Sequence, residues 1–438
     1  MQRTTEPRER AVLVGLCRDT RERKLEEESL EELGELTISA GAEVADALLQ
    51  ERPKPDPAYF IGQGKLEELK ESVVIEQADL VIFNEDLTPA QLRNLERSLD
   101  VKVIDRSELI LDIFAQRARS REGKLQVELA QLDYLLPRLT GKGTELSRLG
   151  GGIGTRGPGE TRLEVDRRRI RARMARLREE LDRLEKRREL QRRKRRGVPI
   201  PTVSLVGYTN AGKSSIFNRL TNETAYVSAR MFATLDPLVR RINLDSGHEV
   251  LLSDTVGFIR RLPHTLIAAF HATLEETLEA DLILHVIDVS QENFLELRQA
   301  VYNVLEEIGF GETGIIEVYN KIDLLEENPA IDSPYDWVAV SARTGEGLDV
   351  LRGKISQTLS GGLHVVDLLL PIDRGDILSQ LRDRGHVERE EYTGSGIEVR
   401  AALTPADQGR FQQYIVRAEN HVSSRHRRTT QRRKIQPV

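Results

Sequence analysis

The chain has 438 residues, 39% of them hydrophobic and 31% charged, with a formal net charge of −6 and one cysteine. That length predicts about three domains, each able to bury a core, and a single cysteine excludes an internal disulfide or a cysteine metal cluster. No apolar run approaches the roughly 18 residues of a membrane span, the opening MQRTTEPRER has no secretory apolar region, and the eight histidines lack metal-ligand spacing, so a soluble, cytoplasmic protein without zinc is expected.

Residues 1–120 alternate strand-like runs (AVLVGLC, ADLVIFN, VKVID) with helical patterns, which predicts a small parallel α/β domain. Cys17 closes the first run and reads as a core residue rather than a reactive one. GQGK, Gly62 to Lys65, resembles a truncated phosphate turn; without the full spacing a helix start is the preferred reading and a second nucleotide site the alternative.

Residues 121–197 read as an antiparallel helical hairpin. EGKLQVELAQLDYLLPRL forms its first helix, and Ile170, Met174, Leu177, Leu181 and Leu184 mark a heptad seam on the second. The connection carries Gly150, Gly151, Gly152, Gly154, Gly157 and Gly159 among Arg148, Arg156 and Arg162. Such glycines permit close backbone approach while the arginines reach phosphates, so contact with RNA or a nucleotide is weighed against a flexible linker. Arg167 to Arg196 holds 16 basic and 5 acidic residues, and RHRRTTQRRK near the carboxyl terminus has no acid. Both are footprints for a polyanion, RNA before any other; a solvated helix face and a disordered tail are the plain alternatives.

Residues 198–362 read as a P-loop GTPase domain with a mostly parallel sheet flanked by helices. GYTNAGKS (Gly207 to Ser214) follows an apolar run and precedes a helical pattern, the context a phosphate cradle requires. Gly207, Asn210, Ala211, Gly212 and Ser215 belong to the cradle, Lys213 adds charge at the β- and γ-phosphates, and Ser214 is placed to ligate Mg²⁺. Alone, this string would be only suggestive, since it arises by chance in roughly one or two chains per hundred of this length. DTVG offers Asp254 to the metal through water and the Gly257 N–H to the γ-phosphate. FATLDP offers Phe232 to the nucleotide and Thr234 to the metal and γ-phosphate as switch I. Lys213, Thr234 and Gly257 are thus the candidate catalytic residues, and Ser214, Thr234 and Asp254 the metal ligands. In NKID, Asp323 can accept both guanine N–H groups, which adenine lacks, while Asn320 bonds the base and braces the P-loop and the Lys321 stem covers the base plane. Ser341, Ala342 and Arg343 complete the base site, with the Ala342 N–H facing the guanine oxygen. GTP and GDP are therefore the expected ligands. Phe258 follows DTVG where many GTPases carry a water-orienting glutamine, which predicts slow intrinsic hydrolysis.

Residues 363–438 read as a small α+β domain with a basic tail: HVVDLLLP, a helix near Ile377 to Arg384, HVEREEYT, IEVRAAL and a helix from Thr404. Its function is not written in its residues.

GGIGTRGPGE, FNEDLTPAQLRNLE, EGKLQVELAQLDYLLPRL, FATLDP and GYTNAGKS together resemble the HflX family of ribosome-associated GTPases over nearly the whole chain. Leu238 departs from the polar residue often found after FATLDP, which leaves the detail of switch I open. The resemblance implies binding to the large ribosomal subunit and its rRNA, splitting or rescue of stalled ribosomes under stress, and a glycine-arginine loop reaching the peptidyl-transferase centre. It also implies hydrolysis stimulated by the ribosome. Asn210 matches the position at which related GTPases can bind K⁺ beside the phosphates; a structural hydrogen bond within the loop is the plain alternative. No DNA partner is expected, and the free protein is expected to be a monomer. A role in ribosome assembly is the runner-up. A GTPase serving RNA modification would need a catalytic cysteine or methyl-donor site that the residues do not show, and intact Lys213, Ser214, Asp254, Asn320 and Asp323 disfavour a pure RNA-binding module.

Overall fold

The computed structural model describes residues 8–139, 162–195, 200–221, 231–232, 238–244, 249–261, 280–307, 309, 314–326, 331–360, 364–384, 386–403, 408 and 410–416. Two compact units emerge: Met1–Gln191 with Ile200–Ser356, and Arg192–Pro199 with Gln357–Val438.

In the first unit, β1 (Arg10–Cys17), β2 (Glu43–Glu51), β3 (Leu80–Phe83) and β4 (Lys102–Asp105) form a parallel sheet in the order β2-β1-β3-β4. Helices α1 (Arg23–Ala40), α2 (Gln63–Ile75), α3 (Pro89–Leu99) and α4 (Arg106–Arg117) cover it. Because side chains alternate along a strand, β1 feeds two cores. Ala11 and Leu13 meet Leu30, Leu33 and Leu36 of α1 with Ile110 and Phe114 of α4, whereas Val12, Val14 and Leu16 meet Leu66 and Leu69 of α2 with Leu95 of α3. GQGK begins α2, with Gly62 as its N-cap. Thr88 and Gln91 cap α3 reciprocally, with Pro89 in its first turn. Cys17 is buried and its thiol donates to the Asp19 carbonyl at 3.1 Å; burial, then the Glu26 carboxylate, raises its pKa.

Helices α5 (Arg121–Arg138) and α6 (Arg162–Arg195) follow. On α6, Met174 and Leu177 are buried, while Ile170, Leu181 and Leu184 are half-buried. Arg173 forms a forked pair with Glu128 of α5 at 2.7 and 2.8 Å. At the end of α5, Arg138 meets the buried Asp105 carboxylate at 2.8 Å, and the Tyr134 hydroxyl donates to the same group at 2.8 Å, fastening α5 to the first sheet. The glycine-arginine connection lies outside the described residues.

The second sheet holds β5 (Thr202–Gly207), β6 (Leu238–Asn243), β7 (Glu249–Asp254), β8 (Leu282–Asp288), β9 (Gly314–Asn320) and β10 (Asp336–Val340), in the order β10-β9-β8-β5-β7-β6. Among the described residues of this sheet, only β6 pairs antiparallel. Helices α7 (Lys213–Thr221), α8 (Phe294–Glu307) and α9 (Leu348–Ser360) accompany it. GYTNAGKS, DTVG, NKID and the Ser341 to Arg343 turn fall at the carboxyl ends of β5, β7, β9 and β10, so these four reach one edge, where open parallel sheets bind ligands.

The second unit contains β11 (His364–Leu370), α10 (Gly375–Arg384), β12 (His386–Thr393) and β13 (Gly396–Leu403), an antiparallel sheet in the order β11-β13-β12 around Leu368, Leu381, Val399 and Phe411. The basic tail and the start of the helix expected from Thr404 lie outside the described residues. Among the described residues no helix is long and apolar enough to cross a membrane.

Candidate nucleotide site

The P-loop turns because Asn210 adopts φ 62° and Gly212 φ 97°. A Cβ on Gly212 would lie 2.1 Å from Asn320 Nδ2, so only glycine admits the amide beneath the loop. That amide donates to the Ala211 carbonyl at 2.8 Å, and Asn320 Oδ1 accepts the Ala342 N–H at 3.0 Å. Asn320 thus links the P-loop to the turn at Ala342, and the Ala342 N–H, expected to face guanine, is engaged by Asn320. Lys213 is buried; its ammonium donates to the Gly207 and Tyr208 carbonyls at 3.0 and 2.7 Å. Burial lowers its pKa to about 8, opposed by Asp254. The Ser214 hydroxyl donates to Asp254 Oδ2 at 2.7 Å, with Ser215 half-buried one residue on.

DTVG is zipped to the P-loop. The Phe258 N–H donates to the Gly207 carbonyl at 3.1 Å and its carbonyl accepts the Thr209 N–H at 2.7 Å. At Gly257 a Cβ would stand 2.9 Å from Lys213 Nζ and from Thr209 Cα, so only glycine lets the backbone pass this close. The Phe258 ring is buried with Val206, Ile283, Val301 and Leu305, a core anchor rather than a group aimed at a phosphate.

On the base side, the Ser341 hydroxyl donates to Asp323 Oδ1 at 2.6 Å, and the largely exposed Arg343 lies 3.6 Å from Asp323 Oδ2. Lys321 takes φ 69°, and its ammonium meets Asp288 at 2.6 Å. Arg219 of α7 holds the Ala342 carbonyl at 3.0 Å and also bonds that of Arg343.

Phe232 requires a correction. It is not at the nucleotide: it is buried in the amino-terminal core, its ring edge-on to Phe114 with centroids 4.6 Å apart, because a large apolar ring gains more from that core than from a polar phosphate site. Beside it the Met231 N–H donates to Ser39 Oγ of α1 at 2.9 Å. Thr234 lies outside the described residues.

Sequence reasoning missed how firmly α1 grips the segment after DTVG. Arg260 meets Glu28 at 3.0 Å, and its N–H donates to the Tyr208 hydroxyl, which in turn donates to Glu32 at 2.7 Å. Arg261 pairs with Glu26 and, at 3.4 Å, with Glu85. Arg106 joins the Arg260 carbonyl at 3.1 Å to Glu32 at 3.2 Å. Glu28, Glu31, Glu32 and Glu35 line a cavity of about 300 Å³ together with Asn210 and Arg260. Burial, then Glu32, raises the Glu35 pKa, with Lys321 opposing. The recurrence of acids at positions three and four apart in EEESLEELGEL was the available signal.

The chain is similar to known proteins over nearly its whole length. Family models described as GTP-binding GTPase N-terminal, GTP-binding GTPase Middle Region, 50S ribosome-binding GTPase and HflX C-terminal domain match residues 27–115, 117–195, 202–321 and 330–421. GTPase HflX of Caldanaerobacter subterraneus is 51% identical over 416 residues, covering 95% of this chain and 96% of that relative. GTPase HflX of Escherichia coli is 48% identical over 403 residues, covering 90% and 94%. Among solved structures, a GTP-binding protein from Sulfolobus solfataricus in complex with GDP is 28% identical, covers 81% of this chain and 99% of its own, and has a TM-score of 0.44. With relatives this similar over nearly their full length, and a phosphate cradle and base site held as described, the chain belongs to the HflX family of GTPases.

Proposed function

We propose that the protein is a GTP-driven factor that binds the large ribosomal subunit and its rRNA and splits or rescues stalled ribosomes. One observation carries the coupling: both switch segments are anchored on the amino-terminal α/β domain, the first through Met231 and Phe232, the second through Arg260 and Arg261. A change at the γ-phosphate that moves Gly257 therefore pulls on α1 within a few residues. The match to a 50S ribosome-binding GTPase model and the basic flank of α6 support the choice of partner.

In this reading Lys213 neutralises the β- and γ-phosphates, the Gly257 N–H meets the γ-phosphate, and Asp323 with Asn320 selects guanine. Ser214 and Asp254 present hard oxygens 2.7 Å apart, chemistry that fits Mg²⁺; Ser214 directly, Asp254 through water and Thr234 would hold the ion, which would supply charge neutralisation to the phosphates. Asn210 is exposed at the cradle and is the ligand proposed for K⁺; equal turnover in KCl and NaCl removes that role. With Phe258 buried in the core, no side chain at that position orients the attacking water, and the ribosome completes the site.

Steady-state GTP hydrolysis with and without large subunits tests the proposal. At least about tenfold stimulation is expected, together with GTP-dependent conversion of intact ribosomes to subunits in sedimentation profiles. Stimulation without conversion assigns the protein to assembly instead, and no stimulation removes the ribosome as activator.

A further inference from the structure

At the carboxyl ends of β1 and β3 the first sheet reverses its winding: the chain runs from β1 to β2 on one side, and β3 lies on the other. Such a switch point in an open parallel sheet leaves a crevice suited to a ligand. Here it is a cavity of about 360 Å³ bounded by Arg18 after β1, Glu85 and Asp86 after β3, Glu26 of α1, Arg106 and Arg261. It lies apart from the phosphate and base motifs.

Its wall is rich in acceptors that lack donors. The Glu26 side chain is 6% exposed and that of Glu85 14% exposed. Each turns Oε1 to Arg261, and each has Oε2 buried without a hydrogen-bond partner. Buried carboxylate oxygens are costly to leave bare, and two in one cavity point to a missing donor. Burial raises the Glu85 pKa to about 7 even with Arg261 opposing, so the guanidinium does not fully compensate the site. Arg106 Nε also lacks a partner, but its terminal nitrogens are committed to Asn84 at 2.8 Å and Glu32 at 3.2 Å, which leaves the carboxylates as the open groups.

We propose that this cavity is a second ligand site that takes a small organic cation bearing a primary amine or guanidinium. The cation donates to Glu26 Oε2 and Glu85 Oε2, displaces the half-exposed Arg261, and lays its aliphatic stem against Leu16. A bare metal ion fits less well. Among the described residues no group of three or more metal-type ligands gathers around one point, whereas a hard dication needs several oxygen ligands at once. Arg261 lies four residues beyond Gly257, so displacing it links this cavity to the segment zipped against the P-loop, and by reciprocity the nucleotide state feeds back on the affinity for the cation.

Isothermal titration of the nucleotide-free, full-length protein tests the site with agmatine and 1,4-diaminobutane as probes, 1,4-butanediol as the uncharged control, and MgCl₂ and inorganic phosphate as competitors in class. One-to-one saturable binding of at least one amine is expected, with none for the diol. Glu85→Gln should weaken it at least about tenfold, the loss of one charge-assisted contact, and Arg261→Ala should tighten it, because no tethered guanidinium has to leave. Absence of saturable amine binding, binding unchanged by Glu85→Gln, or binding weakened by Arg261→Ala overturns the proposal. Equal or tighter binding of Mg²⁺ or phosphate overturns the ligand class. Should Glu85→Gln fail to fold, the Arg261→Ala titration decides alone, and none of these readouts depends on GTP hydrolysis.

Discussion

The nucleotide site and the clamp on the second switch lie within one unit yet are built from different materials. Around Lys213, the geometry is set by backbone: Gly212 and Gly257 sit where a Cβ would strike Asn320 or Lys213, and Asn320 ties Ala211 to Ala342. Around Arg260, it is set by long side chains, Glu28 at 3.0 Å and the Tyr208 to Glu32 bridge at 2.7 Å. In the first arrangement a Cβ finds no room at Gly212 or Gly257; in the second, long side chains can re-pair as the switch moves. A site must hold one phosphate geometry, whereas a transmitter must have at least two states.

Single substitutions sharpen that contrast. Lys213→Ala removes the buried ammonium at the cradle, and GTP affinity should fall by at least about 100-fold in an equilibrium binding assay, in line with deleting one member of a buried charged contact; unchanged binding would refute the site. Asp323→Asn replaces one acceptor by a donor facing the guanine N–H groups. A loss near about 100-fold for GTP is expected, with xanthosine triphosphate, which carries a carbonyl at that position, binding the variant better than GTP does; competition between the two nucleotides reads this directly.

Effects at the clamp should be smaller and of another kind. Arg260→Ala breaks a mostly buried pair with Glu28 and should cost about 1–3 kcal/mol of stability in a denaturant melt while leaving GTP binding within a few-fold. Lys24→Ala, at an exposed pair 3.4 Å from Glu292, should change stability by less than about 1 kcal/mol. If both variants behave alike, the clamp is surface decoration.

The smallest effect is in pH. Lys213 has its pKa lowered to about 8, and bound phosphates favour its charged form. GTP affinity should therefore be complete below about pH 8 and decline above it, by at most about tenfold per unit, as the free protein must first take up a proton. A flat titration from pH 7 to 9.5 rules this out.

Much of the site was legible because ligand chemistry dictates local strings. GYTNAGKS, DTVG and NKID each end a buried strand and demand glycine, lysine or carboxylate at fixed offsets, so Gly207, Lys213, Asp254, Asn320 and Asp323 could be named from spacing. The strand β1 was equally readable from its unbroken apolar run, AVLVGLC, whereas the two cores it feeds were not. Phe232 lies elsewhere than FATLDP suggests because a local string carries no sign that its ring is claimed by a core more than a hundred residues upstream in sequence. Phe258 was read for the glutamine it lacks, and its role as a core anchor with Val301 and Leu305 depends on a helix the motif does not contain.

The sequence by itself determined the chemistry: a GTPase fold, its phosphate and base motifs, and the concentration of basic residues between Arg167 and Arg196 and near the carboxyl terminus. Only the tertiary structure decided which groups meet across the domains. That Glu26, Glu28 and Glu32 grip Arg260, Arg261 and Tyr208, and that a cavity with bare carboxylate oxygens opens beside them, follows from packing α1 against the switch. Ion pairs of this kind leave no periodic or spacing signal that names the partner, because their energy depends on burial and distance rather than on neighbours in the chain.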